Sequence, residues 1–359
     1  MTAWPSYTEL TDITLTPLAH GSGKLSMAFK ASEPTADLQH LRYDGSVKAI
    51  DILPLDQEIE AEEIAEPVLY AGPLFRHFGH ALSESIHRLW PRLVYRELNG
   101  IKVAFHPVNG VKLLPYLVEA LNLHGITAKQ VIRIDRPIKF SKLIVAPQAR
   151  LMAGPTLNSD YPALLDRSLA KRVPSAGEGR KVYLSRSKHA HTGSYYGESY
   201  IERFLLASGF EIIWPEDHTV HELVGILRSS SHAVFAEGSA IHALELCGTK
   251  TPDTFVIGRR KGSIPRFTPL LSSVCNRFMV SDRWLFSDGL SDDPKKHSGF
   301  LDVYGVAAEI AIFANAGAPI RPQDISDLVR HDIKMHVVGS NPSGDQERSL
   351  WQRVEPYLA

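Results

Sequence analysis

Between Lys181 and Ile257 the chain alternates short apolar runs with longer amphipathic ones, and this alternation constrains the fold more than any other feature. Lys181-Val182-Tyr183-Leu184, Glu211-Ile212-Ile213-Trp214, His232-Ala233-Val234-Phe235-Ala236 and Thr254-Phe255-Val256-Ile257 read as strands. Residues 198–208, 220–230 and 239–247 read as the helices between them. Strands joined by helices of these lengths build successive right-handed βαβ units. A looser version fills the first half, with strands at 68–70, 101–105, 131–134 and 142–147 and helices over about 75–99 and 111–123. There too the alternation predicts a mostly parallel sheet with helices on its faces. Residues before 70 read as strands and loops around an acidic, proline-containing interlude at 51–66. Beyond about 281 the pattern fades into helices at 303–316, 325–331 and 351–358.

A chain of 359 residues suits two domains better than one core. The polar, Gly- and Pro-rich stretch at 169–180 marks the boundary. The expected organisation is an α/β domain over 1–168, a Rossmann-like domain over 178–285 and a helical extension over 286–359. Lys plus Arg (39) balances Asp plus Glu (40), so no global field points to nucleic acid or to an acidic membrane. Two cysteines, Cys247 and Cys275, make no disulfide framework and suit a reducing compartment. The first residues lack the basic and apolar regions of a signal peptide, and no apolar run approaches a membrane span. The expected location is cytoplasmic, at most peripheral to the inner face of a membrane.

Chemistry concentrates in two places. Wound at about 100° per residue, the stretch 75–93 puts Phe78, Leu82, Ile86, Leu89, Trp90 and Leu93 on one face. His77, His80, Glu84, His87 and Arg88 fall on the other. Imidazole beside carboxylate and guanidinium is the material of proton transfer and anion binding. The spacing also fits metal ligands, but no Cys/His pair elsewhere offers a second half, so no metal is expected. The nearest acidic pair, Asp292-Asp293-Pro294, reads as a turn.

The second place is the junction Glu237-Gly238-Ser239, where a strand runs straight into a helix. Gly238 permits a tight turn, Ser239 is a natural cap, and free N–H groups there suit a phosphate. A plain tight turn has the same look. Arg186, after the domain's first strand, is placed to grip a diphosphate, and Glu198 to accept from a ribose or base. The loop 189–197 reads as either a lid or a surface loop. Arg259-Arg260-Lys261 reads as a solvated turn or, less readily, a phosphate-facing patch.

Taken together these residues resemble glycosyltransferase family 61. Phe78-Gly79-His80 with Glu84 and Arg88-Leu89-Trp90 is similar to its first motif. Val182-Tyr183-Leu184-Ser185-Arg186, Glu198 and Gly209-Phe210-Glu211-Ile212-Ile213 with Pro215-Glu216 are similar to its second. Ala236-Glu237-Gly238-Ser239-Ala240 is similar to its third. The chain differs in having Glu237 where many members have His, and Tyr196-Gly197 where they tend to carry Arg and Asn. The resemblance implies a GT-B architecture, two Rossmann-like domains facing each other across a cleft. It further implies an inverting, metal-independent transferase with a nucleotide-sugar donor, typically a UDP-sugar, and no further cofactor. The acceptor would be a glycan or lipid-linked glycan of surface or capsular polysaccharide synthesis. On this reading Glu84 is the first choice of base and His80 the second. Arg186, Glu198, Glu237, Gly238 and Ser239 bind the donor, and His77, His87 and Arg88 line the acceptor side. A catalytically silent nucleotide- or glycan-binding module, or a metal-dependent hydrolase using His77, His80, Glu84 and His87, are the alternatives.

Overall fold

A computed structural model describes residues 4–21, 24–30, 38–42, 47–48, 50–55, 57–152, 154, 156, 158–173, 179–290, 297–317, 325–340 and 342–358. The turn expected at 292–294 and the centre of the expected linker, 174–178, lie outside them. The chain divides into two compact units. The first is Met1–Ser175 with Thr219–Gly225 and His242–Lys250. The second is Ala176–His218 with Ile226–Ile241 and Thr251–Ala359. The architecture is mixed α/β.

In the first unit the strands Val131–Arg133, Lys102–Pro107, Val68–Leu74 and Ile138–Val145 run parallel in that order. Val68–Leu74 is buried at every position, as a central strand covered on both faces must be. Glu62–Ile64 adds parallel to Ile138–Val145 and Ile50–Pro54 parallel to Lys24–Lys30, so most pairings in this sheet are parallel, as expected, with an antiparallel part at its N-terminal side. Thr8–Leu15 pairs antiparallel with Ile138–Val145, far away in the chain, and with Lys24–Lys30, which itself forms a tight hairpin with Ala19–Gly21. Leu10, Ile13, Leu15, Tyr70, Phe140 and Val145 pack the core of this sheet.

The expected helix over 75–99 does not form as one element. A helix covers only Phe78–Ser83, and a second, Pro91–Val94, starts at a proline. Between them the chain leaves helical geometry at Glu84 (φ −131°, ψ −47°), whose side chain is drawn inward. His87 and Arg88 are buried along with Ile86 and Leu89, so the two-faced division dissolves after Ser83.

In the second unit five parallel strands lie in the spatial order Glu211–Ile213, Arg180–Leu184, Ser230–Ala236, Asp253–Ile257, Phe278–Ser281. Numbered along the chain this is 2-1-3-4-5, a doubly wound order whose direction reverses between Arg180–Leu184 and Ser230–Ala236. Ser239–Leu246 follows as a 3₁₀ run rather than the expected α-helix. The helix Val303–Phe313 packs against the sheet, burying Val306, Ile310 and Phe313.

Candidate functional site

The reversal point of the second sheet collects the donor-side residues. Arg186 leaves one of the two central strands and Gly238 the other. A Cβ at Gly238 would stand 2.6 Å from Arg186 Nη1, so only glycine lets that guanidinium lie across the turn. Arg186 is further fixed by a bond from its Nη2 to the Gly193 carbonyl (3.2 Å). Arg259, at the end of the next strand, is 5% exposed, and its Nη1 has no hydrogen-bond partner among the described residues. Burial and the neighbouring charges of Arg186 and Arg260 push its pKa down to about 9. Buried guanidiniums that repel one another are a site prepared for an anion.

Glu237 and Glu198, expected on the donor side, each accept several hydrogen bonds from within the protein. Glu237 accepts from the Arg259 backbone N–H (3.0 Å), Arg260 Nε (3.0 Å) and the Ser263 hydroxyl. Burial would raise its pKa, but the charges of Arg260 and Arg259 outweigh it and the carboxylate is lowered. It thus folds the Arg259–Ser263 turn and places Arg259, giving the stretch 259–261 a patterned rather than a merely solvated role. Glu198 is buried and accepts from the Arg186 N–H (2.6 Å), Tyr183 (2.8 Å), Ser185 (3.0 Å) and Ser194. Three of these bonds fall on Oε1 and one on Oε2, so the carboxylate ties the strand Arg180–Leu184 to the loop that carries Arg186. That loop is no free lid: Ser194, Tyr195 and Tyr196 are buried, and Tyr195–Tyr196 pairs with Gly299–Leu301.

In the first unit, His80 and Glu84 form a dyad at the carboxyl end of Val68–Leu74, with His80 Nδ1 2.5 Å from Glu84 Oε1. Glu84 is fully buried and also accepts from His40 Nε2 (3.0 Å) and Arg42 Nε (2.6 Å). Burial alone would raise the Glu84 pKa; the bonds from His40, His80 and Arg42 overcome it and hold the carboxyl well below its ordinary range. Because Glu84 is ionised, His80 Nδ1 must carry the proton, which turns the lone pair to Nε2. The His80 side chain is 32% exposed, so that nitrogen can meet a substrate. His77 is exposed and its ring meets His80 edge-on at 5.2 Å.

Residues 78–252, just under half of the chain, match the family model Glycosyltransferase 61. The match supports a glycosyltransferase, an enzyme with a sugar donor and an acceptor. No curated protein matches the sequence. The glycosyltransferase 61 match contains His80, Glu84, Arg186, Glu198 and the Gly238 turn, while His40, Arg42, Arg259 and Arg260 lie outside it. No helix among the described residues is long and apolar enough to cross a membrane.

His87 and Arg88 do not join the dyad. His87 Nε2 meets Glu245 (2.8 Å) and its Nδ1 meets the Tyr161 hydroxyl (3.2 Å), both buried. Burial keeps His87 neutral, and bonds from His242 and His87 hold Glu245 down at about 2 against its own burial. Arg88 donates to the Ala146 and Gln39 carbonyls and lies over the Tyr70 ring. Gly72, at φ +83° on a bulged strand where a side chain would be strained, lies against Arg88. Both residues brace the core. The four-residue metal face therefore does not assemble, and no group of three or more potential ligands able to hold a metal stands among the described residues. His40 and Arg42 went unnoticed in the sequence because they sit more than forty positions before Glu84 with no motif around them.

Proposed function

We propose that this chain is an inverting, metal-independent glycosyltransferase of the GT-B type. It transfers a sugar from a nucleotide-sugar donor, a UDP-sugar being the first to test, to a hydroxyl of a glycan acceptor in surface or capsular polysaccharide synthesis. The observation that carries the proposal is Arg259, a guanidinium with an unpartnered Nη1 at the carboxyl edge of a doubly wound sheet, its pKa lowered by burial and then by Arg186 and Arg260. A diphosphate there relieves the repulsion, and the charge that grows on it as it leaves is stabilised by preorganised donors. Arg186, Arg259 and the Gly238–Ser239 turn hold the donor, and Glu198 and Glu237 position them.

The first choice of base moves from Glu84 to His80. Glu84 lacks both access and basicity, whereas the His80 side chain is a third exposed and has an anion behind it. In the transfer, His80 takes the acceptor hydroxyl's proton, the oxygen bonds to the anomeric carbon from the far side, and the diphosphate leaves with the electron pair of the broken C–O bond. Glu84 orients the ring and stabilises the imidazolium, the part a carboxylate plays in a catalytic triad. His77 lines the acceptor side.

A thermal-shift screen against UDP, GDP, CMP and dTDP and their sugar conjugates, with and without EDTA, tests this. A specific ligand at 100 times its dissociation constant stabilises the fold by about 2.7 kcal/mol. One nucleotide should stand out regardless of EDTA, and Arg259→Gln should weaken it about ten-fold or more, the usual value of a charge-assisted bond. A flat screen overturns the proposal. A response that EDTA abolishes overturns metal independence, and binding with neither transfer nor donor hydrolysis points to the silent module.

A further inference from the structure

Two cavities of nearly equal size open on the first unit, about 480 and 490 Å³. In the smaller, the cations are neutralised from within: Lys102 pairs with Glu66, Arg133 with Asp135 and Arg136 with Glu62. The larger lies beyond the carboxyl ends of the adjacent strands Val68–Leu74 and Lys102–Pro107 and is lined by Phe75, Arg76 and residues 108–112 and 114. Its charged side chains are Arg76 and Lys112; it contains no acid, and neither cation has an ion-pair partner among the described residues. The backbone on both sides is pinned. Tyr116 donates its hydroxyl to the Arg76 carbonyl, and the turn before Lys112 is closed by a bond from Val111 to Val108 (3.3 Å), with Asn109 and Gly110 both at positive φ.

The wall of this cavity reaches the dyad. The Phe75 ring packs on the His80 ring at 5.3 Å and under the Arg42 guanidinium at 5.2 Å. A group seated among Phe75, Arg76 and Lys112 is therefore one aromatic ring away from the proposed base. An uncharged sugar would gain nothing from two cations without counter-charge, while a carboxylate or phosphate would pair with both.

We infer that this cavity is the acceptor subsite and that it selects an anionic sugar, one carrying a carboxylate or a phosphate ester next to the residue that is glycosylated. The inference rests on the transferase reading for its acceptor role, but its chemistry is separable. The full chain is titrated with methyl β-D-glucuronide, D-glucose 6-phosphate and methyl β-D-glucoside by ligand-observed NMR, alongside the nucleotide screen on the same samples. At least one anionic probe should bind about ten-fold tighter than the neutral glycoside, and the stronger of the two tells carboxylate from phosphate. Arg76→Gln with Lys112→Gln, both on exposed side chains, should abolish the preference and leave the nucleotide response intact. Equal binding of all three probes, or a preference that survives the double substitution, overturns the inference while the nucleotide response keeps the transferase reading. A preference lost in the double variant of a protein with no nucleotide response supports the anion site and sinks the transferase reading instead.

Discussion

His80 and Glu84 sit four residues apart, yet one is a third exposed and the other sealed, and their variants should separate accordingly. His80→Asn should lower turnover by about a hundred-fold or more while the melting temperature stays close to that of the parent. Glu84→Gln removes the negative partner of His40, Arg42 and His80 from a buried site, so turnover and stability should fall together, the latter by about 3–5 kcal/mol. Single-turnover rates and thermal melts on both variants decide it. A Glu84→Gln protein that melts normally and turns over slowly would return the base to Glu84. At this scale the sequence marked the residues themselves, since His80, Glu84 and Arg186 were all visible by pattern. It hid their roles. A carboxylate's role depends on how many donors surround it, and for Glu84 two of those, His40 and Arg42, come from more than forty positions earlier in the chain.

The helix Glu198–Ala207 shows the same dependence one level up. Gly197 occupies its cap position at φ +94° and offers no side chain to accept from the first turn. Asp332, from the helix Ile325–Ser340, substitutes for the missing cap. Its Oδ2 accepts from the Gly197 N–H (2.8 Å) and the Ser199 N–H (3.2 Å), and its Oδ1 accepts from the Ser199 hydroxyl. The same C-terminal region encloses Tyr196 with Leu290, Val329, Ile333 and Leu350. Asp332→Ala should therefore cost about 1–2 kcal/mol in the second unit, the usual value of a lost cap, read as a lower denaturant midpoint. A midpoint unchanged by the substitution would mean that water caps this helix as well as Asp332 does. The strands between 180 and 257 and the first two helices among them were legible because period and punctuation agree there. This cap was not, because it joins positions more than 130 residues apart.

At the scale of the whole molecule, acid should weaken the first unit. His106 and His124 are fully buried, and burial lowers both pKa values from 6.5 to about 4. Between those values the unfolded chain takes up protons that the folded chain refuses. Each ring therefore contributes stability that is complete above pH 6.5 and is lost as the pH falls toward 4. The loss is about 1.4 kcal/mol per pH unit for each ring, or roughly 4 kcal/mol for the pair between pH 6.5 and 5, a large part of ordinary domain stability. Urea midpoints at pH 7, 6 and 5 measure it. A flat profile would show that these rings gain protons without unfolding.

The α/β class, the parallel block of each sheet and the glycine turn at 238 follow from the sequence alone, because strand period, helix period and turn chemistry are local properties of the chain. The antiparallel additions to the first sheet, the break of the helix at Glu84, the burial of His87 and Arg88, and the meeting of Arg259 with Arg186 were decided only by the tertiary structure. The antiparallel additions depend on apolar strand faces meeting across the sheet, and the other three on which charges end up excluded from water together. Burial and pairing set the energy of a charged group, and both come from residues far away in the chain.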